Sequence, residues 1–151
     1  FERIIRRANI RLRMMSDGQY EFVRAGEPGD KRHLSGLGLS VLDHYSGTER
    51  SVSTLSGGES FMASLSLALG LSDEVQASAG GIRLDTMFVD EGFGSLDSET
   101  LEKAIRTLTE LSDEDKLVGI ISHVDALRSR IDRQIEVTKD RDAGSRAAVI
   151  I

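Results

Sequence analysis

Two short apolar runs, Met87-Phe88-Val89 and Leu117-Val118-Gly119-Ile120-Ile121, bracket a helical stripe of Leu101, Ala104, Ile105, Leu108 and Leu111. Continuous apolar runs of this length suit parallel strands covered on both faces. Strand, helix, strand is a βαβ crossover, expected to be right-handed. This unit commits the chain to an α/β core with a parallel sheet. Upstream, Phe61, Leu65, Ala68 and Leu69 fall at helical spacing, and Met62, Leu67 and Leu71 fill much of the remaining circumference. A largely buried helix is therefore predicted from Ser56, with Gly80-Gly81 ending the segment. Downstream, the pattern predicts a short helix near 125–130, a strand with Ile135 and Val137 on one face, and a last edge strand from Ala147 to Ile151.

The first fifty residues read differently. Residues 1–8 have the look of a helix end. Ile10, Leu12 and Met14 alternate with Arg11 and Arg13, the period of a half-buried strand. Ser16-Asp17-Gly18-Gln19 supplies an Asp-Gly turn, and Tyr20-Glu21-Phe22-Val23 a return strand, together an N-terminal antiparallel hairpin. Residues 25–36 carry Gly26, Pro28, Gly29 and Gly36 among charges and read as a loop. Leu37, Leu39 and Val41 predict a third strand. There is no internal repeat.

Composition narrows the class. A chain of 151 residues is about one domain. Without cysteine it holds neither disulfides nor thiolate metal sites, in keeping with a reducing cytoplasm. No apolar run approaches the roughly 20 residues that span a bilayer, so no membrane partner is expected. Phe1-Glu2-Arg3-Ile4-Ile5 lacks a signal-peptide layout and looks like a cut inside a longer protein. A net charge of −6 argues against an all-over nucleic-acid coat. Arg3, Arg6, Arg7, Arg11 and Arg13 nevertheless crowd the start, as a solvated face at the root of a longer helix or as a phosphate-contacting patch.

Four elements carry chemistry. Leu55-Ser56-Gly57-Gly58-Glu59 opens the buried helix. Ser56 and Glu59 match the S-x-x-E capping box, which is common. Two glycines directly after the cap, poor helix formers, offer bare N–H groups where the helix dipole favours an anion. Asp90-Glu91 ends an apolar strand, the place where open α/β sheets bind ligands. One carboxylate there can hold Mg²⁺ and the other can activate water; a pair of solvated loop acids is the plainer reading. Gly92-Phe93-Gly94-Ser95-Leu96-Asp97 is a turn whose Asp97, or Ser98, caps the next helix. His123, in Ile121-Ser122-His123-Val124, follows a second strand on the same sheet edge. His33 and His44 are assigned no role.

Taken in order, Leu-Ser-Gly-Gly-Glu, strand-Asp-Glu, Ser-Leu-Asp and strand-Ser-His resemble the signature motif, Walker B, D-loop and H-loop of ABC ATPases. Leu84 to Leu101 and Gly119 to Val124 are similar to the SbcC family in particular. The resemblance covers residues 54–139 well and residues 1–50 thinly. It implies the C-terminal lobe of an ABC-type P-loop ATPase head, with a coiled-coil root and strands in 1–50 and the motif-bearing core in 54–139. None of Lys31, Lys103, Lys116 and Lys139 follows a glycine or precedes Ser or Thr, so the P-loop G-x-x-x-x-G-K-[ST] is absent from this sequence. The family carries it in an N-terminal lobe across a long coiled coil tipped by a Cys-x-x-Cys zinc hook.

The resemblance further implies ATP and Mg²⁺ as cofactors, sandwiched between two heads. Asp90 would orient Mg²⁺, Glu91 serve as general base and His123 contact the γ-phosphate of the head's own nucleotide. Ser56, Gly57, Gly58 and Glu59 would serve the partner head's nucleotide, and Asp97 would link the sites. Implied partners are the N-terminal lobe, a second head, the nuclease subunit SbcD and double-stranded DNA. A transporter subunit usually has Gln at position 59 and Pro at position 92, and this chain departs at both. An SMC-type chromosome-organising head is the nearer alternative; Gly92-Phe93-Gly94 resembles the SbcC family better.

Overall fold

The computed structural model describes residues 1–24, 38–78, 85–112, 116–140 and 144–151. The expected loop at 25–36 and the Gly80-Gly81 stop lie outside these residues.

The chain begins with a helix, α1 (Glu2–Met15). This corrects the expectation of a strand at 10–14. Ile5, Ala8, Leu12 and Met15 are buried at helical spacing, whereas Ile10 and Met14 are exposed. The short alternation around Leu12 was compatible with either period. Docking of α1 on the helix opened by Ser56 decides between them. The Asp-Gly turn is real, but it joins helix to strand. The Ser16 N–H and hydroxyl both donate to the Leu12 carbonyl, and the Gly18 N–H to that of Arg13. Asp17 and Gly18 take φ of 50° and 79°, reversing the chain.

The antiparallel unit is a three-stranded sheet of β1 (Tyr20–Arg24), β2 (Leu39–Asp43) and β3 (Thr48–Ser51). Phe22 stands opposite Val41, and Val41 opposite Arg50. The polar run forming β3 carries no apolar alternation and was not foreseen. Asn9 of α1 fixes the sheet to the helix: its amide donates to the Phe22 carbonyl (3.0 Å) and accepts from the Phe22 N–H (2.8 Å).

The helix opened by Ser56 is α2 (Gly57–Ser78); Met62, Leu65 and Leu69 are buried but Ala68, Leu71 and Val75 are exposed, so it is covered on one side only, which corrects the expectation of a largely buried helix. It crosses α1 with almost no clearance at Gly70, where a Cβ would lie 2.7 Å from the Ala8 nitrogen and 2.8 Å from the Ile4 carbonyl oxygen. Ion pairs flank the crossing, Arg3 and Arg7 to Glu74 and Arg11 to Asp73 at 2.6 Å. Most of the arginine cluster at the start is thus occupied within the fold.

β4 (Thr86–Asp90), α3 (Ser98–Ser112) and β5 (Leu117–Ile121) form the expected crossover, with parallel pairing of Phe88 to Gly119 and Asp90 to Ile121. Leu101, Ala104, Leu108 and Leu111 of α3 are buried, and Met87, Val89, Val118 and Ile120 pack against the core. The sheet is not covered on both faces, which corrects the sequence reading. Phe88 is 66% exposed, Leu117 63% and Ile121 52%. The apolar outer face needs a further layer that these residues do not supply. A short helix, α4 (Asp125–Arg128), then leads to the ribbon β6 (Gln134–Asp140) and β7 (Gly144–Ile150). Arg128 pairs with Glu136 to hold the ribbon at its root. Among the described residues no helix is long and apolar enough to cross a membrane.

Candidate functional site

Ser56 and Glu59 make the predicted capping box. The Ser56 N–H donates to Glu59 Oε2 at 2.7 Å, and the Glu59 N–H to Ser56 Oγ at 3.4 Å. The other carboxylate oxygen of Glu59 turns back toward the antiparallel sheet. It accepts from the Tyr20 hydroxyl at 2.5 Å and from Arg50 Nη2 at 2.9 Å. Burial would raise the Glu59 carboxyl, but these hydrogen bonds and the Ser56 N–H outweigh it and hold its pKa at about 2. Burial, and then the bond to Glu59, push the Tyr20 hydroxyl up to about 12. Glu59 therefore braces the loop, leaving Ser56 and Gly57 exposed.

Close packing gives Gly57 a second reason beyond its bare N–H group, whereas a side chain at Gly58 would make only ordinary contact. A Cβ at Gly57 would sit 3.1 Å from Ser95 Cβ, and one at Gly58 would sit 3.7 Å from Leu96 Cδ2. The Ser56–Gly58 loop lies directly against the turn that ends in Asp97. Together they line a concavity of about 440 Å³ with Gln19, Tyr20 and Thr100. Asp97 caps α3, accepting from the N–H groups of Thr100 (2.9 Å) and Glu99 (3.0 Å) and from the Thr100 hydroxyl (2.8 Å). The Thr100 bonds hold its carboxyl below the ordinary value.

Asp90 ends β4 on the outer face, the side of Phe88. Glu91 follows at φ 59°, uncommon for a residue with a side chain, and its N–H donates to the Ile121 carbonyl at 2.9 Å. That reversal brings its carboxylate to His123, whose Nδ1 lies 3.0 Å from Oε2. Backbone strain of this kind clusters at functional sites. Gly92 continues the turn at φ 94°, and a Cβ there would sit 2.6 Å from the Phe61 ring. Proline, locked near about −65°, cannot take this conformation, which explains the departure from the transporter pattern.

Asp90, Glu91 and Gly92 border a groove of about 650 Å³ running between α2 and β4 past Phe61 and Phe88. The groove and the Ser56–Asp97 concavity share no lining residue. The predicted residues thus fall into two groups, Asp90-Glu91-His123 and Ser56-Gly57-Gly58-Asp97, joined by the turn 92–97. Among the described residues no three His, Cys, Asp or Glu side chains form a ready-made metal site. The adjacent carboxylates of Asp90 and Glu91 are the donor type that Mg²⁺ takes, one or two of them with waters and phosphates completing its shell. Tyr20 and Arg50 were not singled out from the sequence. Arg50 belongs to the unforeseen β3, and only the fold brings either residue to Glu59.

The architecture is that of an ABC-type ATPase head. The whole chain aligns with the SMC head domain from Thermotoga maritima, at a TM-score of 0.65, 19% identity and 48% of that chain. It also aligns with a structure from work on ATP-driven dimerization and DNA-stimulated activation of SMC ATPases, at a TM-score of 0.73 and 17% identity, covering 99% of this chain and 84% of that one. A family profile described as "SbcC/RAD50-like, Walker B motif" matches residues 30–110. The chain belongs to this SbcC/RAD50-like family. The SbcC component of the SbcCD nuclease from Vibrio cholerae is 54% identical over 138 residues, which are 91% of this chain and 14% of that protein. The chain therefore spans a small fraction of the length of its curated relatives.

Proposed function

We propose that this chain is the C-terminal lobe of the ATPase head of a DNA-end-processing nuclease complex. The supporting observation is the division of the motif residues into two separate groups on either side of one short turn. Two groups of phosphate-handling residues that do not face one cavity suit two different nucleotides, one held by the head's own P-loop and one by a second head. In the first, Asp90 would hold Mg²⁺, which would supply charge stabilisation to the phosphates, Glu91 would take the proton of the attacking water, and His123 would contact the γ-phosphate. In the second, the exposed Ser56 and Gly57, with the half-buried Gly58, meet the partner's γ-phosphate at the N-terminus of α2. Asp97, at the start of α3, links the two. Positioning and charge stabilisation, the main needs of phosphoryl transfer, are what this arrangement supplies. ATP shared by two half-sites then joins two heads about a two-fold axis.

The N-terminal lobe, carrying the P-loop, is the first partner and the second head the next. The nuclease subunit SbcD and double-stranded DNA complete the assembly, which works in the cytoplasm. The test mixes heads carrying Ser56→Arg with heads mutated in the P-loop lysine of the N-terminal lobe. In a mixed dimer both defects can fall on one composite site and leave the other whole, so ATPase activity is expected to reappear. No recovery, or loss of ATP binding by the Ser56→Arg head itself, would sink the two-site reading.

A further inference from the structure

The Ser56–Glu59 loop is held from behind by two residues outside every motif. The Tyr20 hydroxyl and Arg50 Nη2 share one oxygen of Glu59, while the other oxygen of that carboxylate holds the Ser56 N–H. Arg50 Nη1 reaches the Thr54 carbonyl at 3.5 Å, so one guanidinium touches the chain on both sides of Ser56. That guanidinium lies over the Tyr20 ring, 5.3 Å from its centre. Tyr20 is 7% exposed and also lines the concavity at Ser56 and Gly57. Its N–H is itself anchored, donating to Ser16 Oγ at 3.1 Å.

The capping box alone leaves such a loop loose. Its Ser56 N–H bond is short at 2.7 Å, but its Ser56 hydroxyl contact is long at 3.4 Å, and two glycines follow. A charged hydrogen-bond network in a partly dry setting is stiffer than its separate bonds. We infer that Tyr20 and Arg50 are positioning residues that hold Ser56, Gly57 and Gly58 in the shape that receives the partner head's nucleotide. The inference rests on the two-site reading above and adds what sets the geometry of the second site. The work of these two side chains is to make the loop rigid before the heads meet, so that pairing does not have to order it.

The experiment uses the full-length protein with Tyr20→Phe, Arg50→Ala and Arg50→Lys. Tyr20→Phe removes one oxygen and keeps the buried ring under Arg50. ATP affinity of each separate head is expected to stay within about twofold, while ATP-driven head pairing weakens about tenfold, the scale of one hydrogen bond to a charged group. The turnover number at fixed head concentration falls with it and KM for ATP holds. Arg50→Ala follows the same pattern, and Arg50→Lys, which restores a cation beside Glu59, recovers part of the loss. A drop in melting temperature with pairing and turnover unchanged would make the cluster merely structural and overturn the inference. Weaker ATP binding by each single head, in proportion to the lost activity, would overturn it too. Ser56→Arg, measured alongside, separates the two levels. If it abolishes pairing while Tyr20→Phe and Arg50→Ala do nothing, the positioning role alone is wrong. If it leaves pairing intact, the two-site reading falls and the positioning role with it.

Discussion

His123 Nδ1 lies 3.0 Å from Glu91 Oε2 across the carboxyl ends of β4 and β5, and the left-handed backbone at Glu91 brings the two together. Neither residue is in a strand. Glu91 donates its N–H to Ile121, so the parallel pairing runs one residue past β4 before the chain turns.

Glu91→Gln keeps the shape and removes the proposed base. In a protein with both lobes, ATP is expected to bind as before, with turnover reduced about 100-fold or more. ATP-bound head pairs should then accumulate, visible by size-exclusion chromatography. Hydrolysis at the normal rate would remove Glu91 from the role of base.

Two glycines are held by different constraints. Gly92→Ala forces a side chain into φ 94° and into the Phe61 ring, at a cost of roughly 1–2 kcal/mol for the backbone. Gly70→Ala meets the backbone of α1 at Ala8 and Ile4, which cannot swing aside as a ring can, and overpacking of this kind costs about 1–3 kcal/mol. Urea denaturation should rank Gly70→Ala the more damaging. A wild-type midpoint for Gly70→Ala would show that the two helices part easily.

Acid and alkali should both strain the Tyr20–Glu59 bond. The folded Glu59 pKa is about 2 against an ordinary 4.5, so its contribution is present above pH 4.5 and is lost as pH falls through about 2. The folded Tyr20 pKa is about 12 against 10.0, so its contribution is present below pH 10.0 and is lost as pH rises through about 12. Glu59→Gln should flatten the acid limb of stability against pH, and Tyr20→Phe the alkaline limb. Unchanged limbs in the variants would place the titrating groups elsewhere.

The 151-residue chain on its own should bind no ATP at micromolar concentration, having no P-loop lysine, and calorimetric titration checks this. Its open sheet face, with Phe88, Leu117 and Ile121 bare, should make it self-associate. Sedimentation velocity should show mass rising with concentration, and Phe88→Ser should lower it. A monodisperse monomer at all concentrations would mean that the face is protected.

The features readable from the chain were local ones. The βαβ crossover follows from two apolar runs and one helical stripe, and the capping box from two residues three apart. Asp90, Glu91 and His123 could be placed on one sheet edge because parallel strands put their carboxyl ends together. Long-range relations were out of reach. Whether residues 10–14 are strand or helix depends on Gly70, sixty positions away, because five alternating residues satisfy either period until a partner surface chooses. The brace behind Ser56 joins Tyr20, Arg50 and Glu59, and nothing in a polar stretch such as 48–51 marks one arginine as the one that will face a carboxylate. Sequence by itself determined the order of the motifs and the chemistry each can perform, since both depend on neighbours along the chain. Tertiary structure decided which residues hold those motifs in place, which sheet face stays open, and that the two groups of motifs border separate hollows, since those depend on surfaces that meet only once the chain has folded.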